Sequence, residues 1–264
     1  MGVVKSLQMA LTIAEYEKLL PHADVEHEGV KMTFLTPTTM ALWRVQSIYK
    51  KEPWTLEWIA GFEKDDVLVD CGANVGMYSI WAAATRGARV YAFEPEAQNY
   101  AILNRNIMMN GLADRVTAYC VGLSDKAGLS TLHLSDLQPG GSCHAMGEAI
   151  DYKHEPMQAA YRQGYIAATL DELVGAGAIP APDRIKIDVD GIEPQVIAGA
   201  RNTLADPAVK SLLIETNQNL KDHMAMVREL TAMGFRHDPA QVARAERTEG
   251  AFTGVAEYIF HRGT

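Results

Sequence analysis

The hydrophobic positions of this chain fall into two textures. Up to about residue 60 they recur mainly at helical spacing. Residues 12–20 read as a helix that stops at Pro21, and Thr38 or Thr39 is placed to cap a helix running to Lys50 and Lys51. Pro53 opens another through Trp54, Trp58 and Ile59 to Gly61, and residues 30–35 alternate like one short strand. From Asp66 onward the apolar residues come instead in short unbroken runs, each followed by a turn and a helical pattern. Val67-Leu68-Val69 leads into a helix near 77–83, and Val90-Tyr91-Ala92-Phe93 into one closed by Asn110-Gly111. Residues 116–121 form a third strand, Ile185-Lys186-Ile187 precedes a helix over about 193–204, and Leu212-Leu213-Ile214 precedes one over about 220–233. Residues 255–260 are the last strand. Strands that are apolar throughout and alternate with helices predict an α/β fold, a doubly wound and mostly parallel sheet covered on both faces. The change of texture places an N-terminal helical extension at 1–50 and the main domain at 51–264.

Residues 134–164 escape both patterns. They hold Pro139-Gly140-Gly141, Pro156 and scattered polar residues with no period. A connection this long in a compact domain is usually functional. It precedes a strand whose tip ends in a carboxylate, so it reads as a substrate-facing loop.

Composition sets outer bounds. A chain of 264 residues, 48% hydrophobic and 22% charged, buries enough surface to need no disulfide. Cys71, Cys120 and Cys143 are odd in number and far apart, which fits a reducing, cytoplasmic setting. The net charge of −9 counts against a nucleic-acid backbone as partner. No apolar run reaches the ~20 residues of a membrane helix, and the N-terminus lacks a signal pattern. Met1-Gly2-Val3-Val4-Lys5-Ser6 satisfies the N-myristoylation pattern, a motif permissive enough to be read as chance.

The densest chemical signal is Asp70-Cys71-Gly72-Ala73-Asn74-Val75-Gly76, between the first buried strand and its helix. Glycines there let a ligand approach the backbone beside a helix N-terminus. Glu94 ends the next strand, 24 residues on, where an acidic residue meets ribose hydroxyls in such folds. The dinucleotide fingerprint G-x-G-x-x-G fails, because Asp70 and Val75 stand where its first and third glycines belong. A Walker motif and a Tyr-x-x-x-Lys pair are also absent from the sequence. A carboxylate at the turn suits a cationic cofactor better than a pyrophosphate, and this selects S-adenosylmethionine.

These motifs, with Phe93-Glu94-Pro95, Leu123-Ser124-Asp125, the run from Ile185 to Glu193 and the lead-in from Glu52 to Ile59, resemble the FkbM-type methyltransferases over roughly residues 50–217. Cys71 is a departure, standing where the family often has a branched aliphatic residue. The resemblance implies a class I methyltransferase fold of seven strands, the last antiparallel. It also implies methyl transfer to a hydroxyl, on sugars of surface glycans or on natural products. Carried onto this chain, it places Asp70, Gly72, Ala73, Asn74 and Gly76, with Tyr78 in the first helical turn, around the methionine end of the cofactor. Glu94 would hold the ribose, with Pro95 and Asn99 nearby, and Gly122, Ser124 and Asp125 would meet the adenine.

An alcohol acceptor must lose its proton during attack. Asp188 stands at the strand end where the reacting methyl lies, with Asp190 and Glu193 following; helix N-terminal carboxylates complementing the dipole are the alternative for these two. His144 is a candidate base on the substrate loop. Lys186 shares the parity of Asp188 along its strand, and Gln163 is a candidate sugar contact. Asp188 and Glu215-Thr216-Asn217 offer oxygen ligands that would suit Mg²⁺. They lack the paired Asp-Asp or Asp-Asn of divalent-metal-dependent O-methyltransferases, so no metal ligand is assigned.

Two other readings stay open. N-methylation of a nucleobase or protein normally carries [DN]-P-P-[YFW], where this chain has Asp188-Val189-Asp190-Gly191. A non-catalytic binding module on the same fold has no need of an intact 70–76 turn together with Glu94. The expected partner is a small-molecule or glycan hydroxyl acceptor, and residues 1–50 would be a lid, a homodimer contact or both.

Overall fold

A computed structural model of the chain describes residues 12–263. The Met1–Ser6 motif lies outside them. The helix α1 (Ile13–Lys18) is followed by a hairpin of β1 (His22–His27) and β2 (Val30–Leu35), then by α2 (Thr39–Lys51) and α3 (Pro53–Ala60). Next come β3 (Val67–Cys71), α4 (Met77–Arg86), β4 (Arg89–Phe93), α5 (Ala97–Met109), β5 (Val116–Tyr119) and β6 (Gly122–Leu123). An excursion of β7 (Gly128–Leu134), β8 (Ala145–Met146) and β9 (Tyr161–Ala168) leads to α6 (Leu170–Gly175) and β10 (Arg184–Ile187). The chain ends through α7 (Glu193–Ala198), α8 (Arg201–Ala205), β11 (Ser211–Asn217), α9 (Lys221–Ala232), β12 (Phe235–His237), α10 (Pro239–Ala245) and β13 (Val255–Arg262).

The main sheet has seven strands in the order β12-β13-β11-β10-β3-β4-β5. Its pairs from β11 through β5 are parallel, and β13 runs antiparallel to both β11 and β12. This is the doubly wound, mostly parallel class I methyltransferase sheet that the sequence pattern and the resemblance predict. The order reverses between β3 and β10, so their carboxyl ends open the crevice where such sheets bind ligands. Alternate residues feed the two cores. Leu68 and Val90 pack with α2 to α5 on one face, while Val69, Ile185 and Leu212 pack with α7 and α9 on the other. No helix among the described residues is long and apolar enough to cross a membrane.

Three segments differ from the sequence reading. The N-terminal extension is not helical throughout, because 22–27 and 30–35 pair as an antiparallel hairpin. Val25 is the one fully buried residue of β1, so this strand has no apolar alternation to reveal it. The turn Glu28-Gly29 has both φ angles positive, the geometry that matches the strand twist. The helix expected over 193–204 breaks at Gly199, where a Cβ would sit 2.0 Å from the Ser124 carbonyl oxygen. Finally, 134–164 is not wholly a loop. Leu134 pairs with Tyr161 at the end of a ladder between β7 and β9, within a second sheet of order β6-β9-β7-β8.

The extension shares the core of the main domain. Met32 and Phe34 of β2 are fully buried with Ile80 and Leu103. Asn106 of α5 accepts from Leu35 N at 2.8 Å and donates to the Val75 carbonyl at 2.7 Å, tying the hairpin to the turn after β3. Asn106→Ala strands both backbone groups in a buried site. It is expected to lower the unfolding free energy by about 2–4 kcal/mol in urea denaturation; a loss below about 1 kcal/mol would show that the hairpin docks without it.

Candidate active site

The turn after β3 is clamped from the next strand. Gly72 N and Ala73 N both donate to the Phe93 carbonyl at 3.0 Å, and Asn74 N donates to Glu94 Oε2 at 2.7 Å. Glu94 Oε1 accepts from Glu96 N at 2.8 Å. Capping of α5 falls to Glu96, which accepts from Gln98 N and Asn99 N, so Glu94 is left to the turn. Gly72 has φ +81°, and a Cβ there would lie 1.9 Å from the Asp188 carbonyl oxygen. The ends of β3 and β10 therefore approach as closely as two backbones can, and only glycine fits between them.

Over this crevice lies the segment 139–144. Asn74 Nδ2 donates to the Gly141 carbonyl at 2.7 Å, and Asn99 accepts from Gly140 N at 2.7 Å. Helix α2 holds the segment from the other side: Thr38 Oγ1 donates to the Pro139 carbonyl at 2.6 Å and Arg44 Nε to the Gly140 carbonyl at 2.5 Å. Cys143 N donates to Asp190 Oδ2 at 2.7 Å, and Asp190 itself has a positive φ of 58°. These contacts enclose a cavity of about 650 Å³, within the size range of small-molecule sites.

The cavity gathers Gly72, Asn74, Glu94, Pro95, Asn99, His144, Asp188 and Asp190 from the sequence-predicted residues. Others lie elsewhere. Asp70 is buried behind the turn, where Ser79 Oγ donates to it at 2.5 Å and its second oxygen has no partner. Ala73 is buried in the core. Gly76 faces Leu103, and Tyr78 lies under the Lys186 ammonium, 5.1 Å from its ring centre. Gly122 packs on Met146 and Tyr165, Ser124 N donates to the Ala168 carbonyl, and Asp125 is beside Lys126. Gln163 holds Pro95 O at 2.7 Å from outside the cavity. The sequence reading missed Met40, Trp43, Arg44 and Lys51 on α2, and Arg247 and Phe252 before β13. The available signal on α2 was spacing: Ala41, Val45 and Ile48 form its buried stripe, so 40, 43, 44 and 51 share the other face.

Charge is concentrated at the strand tips. Lys186 is 2% exposed and its ammonium lies 2.9 Å from Asp188 Oδ2. Burial opposes both charges, but their mutual attraction prevails, holding Lys186 protonated and Asp188 ionised. Glu52, also opposed by burial, is held low by its ion pair with Lys51. The remaining carboxylates go the other way. Glu215 and Glu257 face each other across the β11–β13 ladder, and burial with neighbouring carboxylates pushes each up to about 8. Arg247 Nη2 lies 2.8 Å from Glu215. Burial also lifts Glu94 to about 7 and Glu193 to about 8, and burial with the Asp188 charge raises Asp190.

His144 is depressed by burial and therefore neutral near pH 7. Its Nδ1 lies 3.2 Å from Ser135 N, whose N–H can only donate, so the neutral ring carries its proton on Nε2. It offers the cavity a donor rather than a basic lone pair. A second cluster, His154, Asp222 and His223, has donor atoms all within 4.8 Å. His223 Nδ1 accepts from Asn217 N at 3.2 Å, and its Nε2–H then points to the Gly191 carbonyl at 3.3 Å. Neither nitrogen has a lone pair free for a metal, and the histidine instead secures the 188–193 turn.

Residues 70–237, more than half of the chain, match the sequence model of the methyltransferase FkbM domain. The chain belongs to the FkbM methyltransferase family. It is 26% identical over 208 residues to the hexuronic acid methyltransferase AglP of Haloferax volcanii, covering 77% of this chain and 79% of that protein. It is 28% identical over 174 residues to the 31-O-demethyl-FK506 methyltransferase FkbM of Streptomyces tacrolimicus, covering 58% of this chain and 65% of that one. A crystal structure of methyltransferase FkbM from Methylobacillus flagellatus KT superposes with a TM-score of 0.50 at 15% identity. That match spans 76% of this chain but 44% of the solved one, and it concerns the fold alone.

In this FkbM methyltransferase the carboxylates with raised proton affinity have a measurable consequence. A raised folded-state value stabilises the fold at low pH, and that contribution is lost as pH rises through the folded value. The depressed histidines, His144, His223, His237 and His261, act in the opposite sense, but only below their unfolded value near 6.5. Stability is therefore expected to fall as pH rises from 6.5 to about 8, the value reached by Glu193, Glu215 and Glu257. Urea denaturation across that window measures the slope, and Glu257→Gln should flatten it; an unchanged slope in that variant would remove Glu257 from the account.

Proposed function

We propose that this protein transfers a methyl group from S-adenosylmethionine to a hydroxyl of a sugar. The observation that carries the reading is the convergence of Gly72, Asn74, Glu94 and Asp188 on one cavity at the switch point of the sheet. The donor set fits the cofactor. Glu94 faces the space where a ribose would lie, Gly72 leaves the backbone bare, and the surrounding carboxylates complement a cation. When bound, S-adenosylmethionine supplies a methyl already activated by its sulfonium, so no protein nucleophile is needed.

The chain's own work is then to orient the acceptor and receive its proton. Asp188, kept ionised by Lys186, accepts the hydrogen bond of the acceptor hydroxyl and fixes its direction of approach. The hydroxyl's single proton, already directed at Asp188, moves to Asp188 on transfer and is relayed from there to Asp190, whose affinity is raised by burial and by the Asp188 charge. His144 donates to another acceptor oxygen. The likeness to AglP, named for a hexuronic acid, supports a sugar acceptor. Phosphate recognition has less to work with. Among the described residues, of the Arg and Lys side chains lining the cavity, Lys51 pairs with Glu52 and Arg247 with Glu215, while Arg44 donates through Nε to the Gly140 carbonyl.

Isothermal titration with S-adenosylmethionine, followed by transfer of labelled methyl to a panel of glycosides, tests the reading. Absence of binding at millimolar cofactor would sink it. Asp188→Asn is expected to bind S-adenosylhomocysteine within about tenfold of wild type yet lose roughly 100-fold or more in kcat. Wild-type turnover in that variant would move the chemistry away from Asp188.

A further inference from the structure

We propose that Trp43 is a stacking platform for the pyranose ring of the acceptor, so that helix α2, outside the family-matched residues 70–237, determines acceptor choice. The proposal rests on the sugar reading above and specifies how the ring is held.

The chain has four tryptophans, and three of them are spoken for. Trp54 lies beneath the Arg244 guanidinium at 5.2 Å. Trp58 donates from Nε1 to Ser211 Oγ at 2.9 Å and meets Phe62 edge-on. Trp81 is buried against His27, with ring centres 4.6 Å apart. Trp43 is 46% exposed and lines the cavity. Among the described residues it has no aromatic, cationic or hydrogen-bonding partner. Phe252, the other large aromatic ring of the cavity wall, is already stacked on Tyr152 at 4.6 Å and covered by Arg247 at 5.3 Å. An indole left half-exposed at a cavity costs hydration free energy that a ligand can recover.

The helix that carries it is anchored on both sides. Arg44, the next residue, is bonded to the Gly140 carbonyl, and Ala41, Val45 and Ile48 anchor the opposite face of α2 in the core. A side chain carried on a helix anchored this way presents its area without ordering a loop on binding. The rest of the wall narrows the ligand class. Asp136, Asp188 and Glu215 are acceptors and Ser135 and Ser142 are hydroxyl groups, all around the same space. A purely aliphatic ligand would leave those groups desolvated and unpaired. An open-chain polyol would satisfy them but offer no rigid apolar face to the indole. A pyranose does both, because its ring face is a patch of polarised C–H groups that meets the negative face of an aromatic ring, while its hydroxyls radiate from the rim.

The test compares wild type, Trp43→Ala and Trp43→Phe on methyl glucoside, methyl glucuronide and sorbitol, with S-adenosylhomocysteine affinity measured for each variant. Trp43→Ala is expected to raise the KM for the glycosides by about tenfold and to leave sorbitol and S-adenosylhomocysteine within about twofold. Trp43→Phe should recover most of the loss. Either glycoside should quench the fluorescence of the S-adenosylhomocysteine complex in wild type and not in Trp43→Phe. Glycosides methylated by Trp43→Ala with an unchanged KM would overturn the platform and leave the sugar reading standing. A wild type that binds cofactor but methylates neither glycoside would overturn the sugar reading, and the platform with it.

Discussion

The ammonium of Lys186 sits in the middle of a parallel sheet with 2% of the residue exposed, and much of the molecule is arranged to permit this. An isolated buried ammonium would lose its proton or unfold its surroundings. Here Asp188 lies two residues along the same strand direction, 2.9 Å away, and the Tyr78 ring covers the other side at 5.1 Å. The pair could have been replaced by apolar packing at little cost in stability. Its effect falls on Asp188, which stays charged in a pocket that otherwise drives carboxylates to take up protons. Lys186 fixes one charge state among several that burial would neutralise.

That asymmetry organises the site. Asp188, Asp190 and Glu215 all face the cavity, but only Asp188 has an ammonium bonded directly to it from below. Asp190 and Glu215 move toward the protonated form under burial and the Asp188 charge, Glu215 despite the Arg247 guanidinium 2.8 Å away. A set of like carboxylates thus divides by environment into one held ionised and others drawn toward protonation. The enclosing segments maintain the environment. Residues 139–144 bond to α2 on one side and to Asn74 and Asn99 on the other, so the wall of the cavity is built from parts far apart in sequence.

What could be read in the chain follows from which forces are local. The apolar runs at 67–69, 90–93, 185–187 and 212–214 are buried on both faces, so their strands announce themselves. Capping residues are equally local, and Thr38 does accept from Ala41 N. The turn around Gly72 and the partner Glu94 were legible because a backbone that must pass within contact of another requires glycine in the sequence itself. β1 was not legible, since its burial comes from α2 and β2 rather than from its own pattern. Nor were Trp43 and Arg247, whose place in the cavity is decided by how α2 and the approach to β13 dock on the sheet. Asp70 shows the limit in another form. Its motif position suggests a ligand contact, yet its side chain turns inward to Ser79 and the Lys186 charge.

The acidity of the chain gains a local meaning from this arrangement. A cationic ligand entering the cavity would meet Glu94, raised to about 7, and Glu215, raised to about 8, both partly protonated near neutrality. Positive charge beside them favours their ionised forms, so cation binding and proton release are linked through the same groups. Asp188 is exempt, because Lys186 has already fixed its charge. The charge state of Asp188 is therefore insulated from the groups that would respond to a cation. A single buried lysine produces that separation.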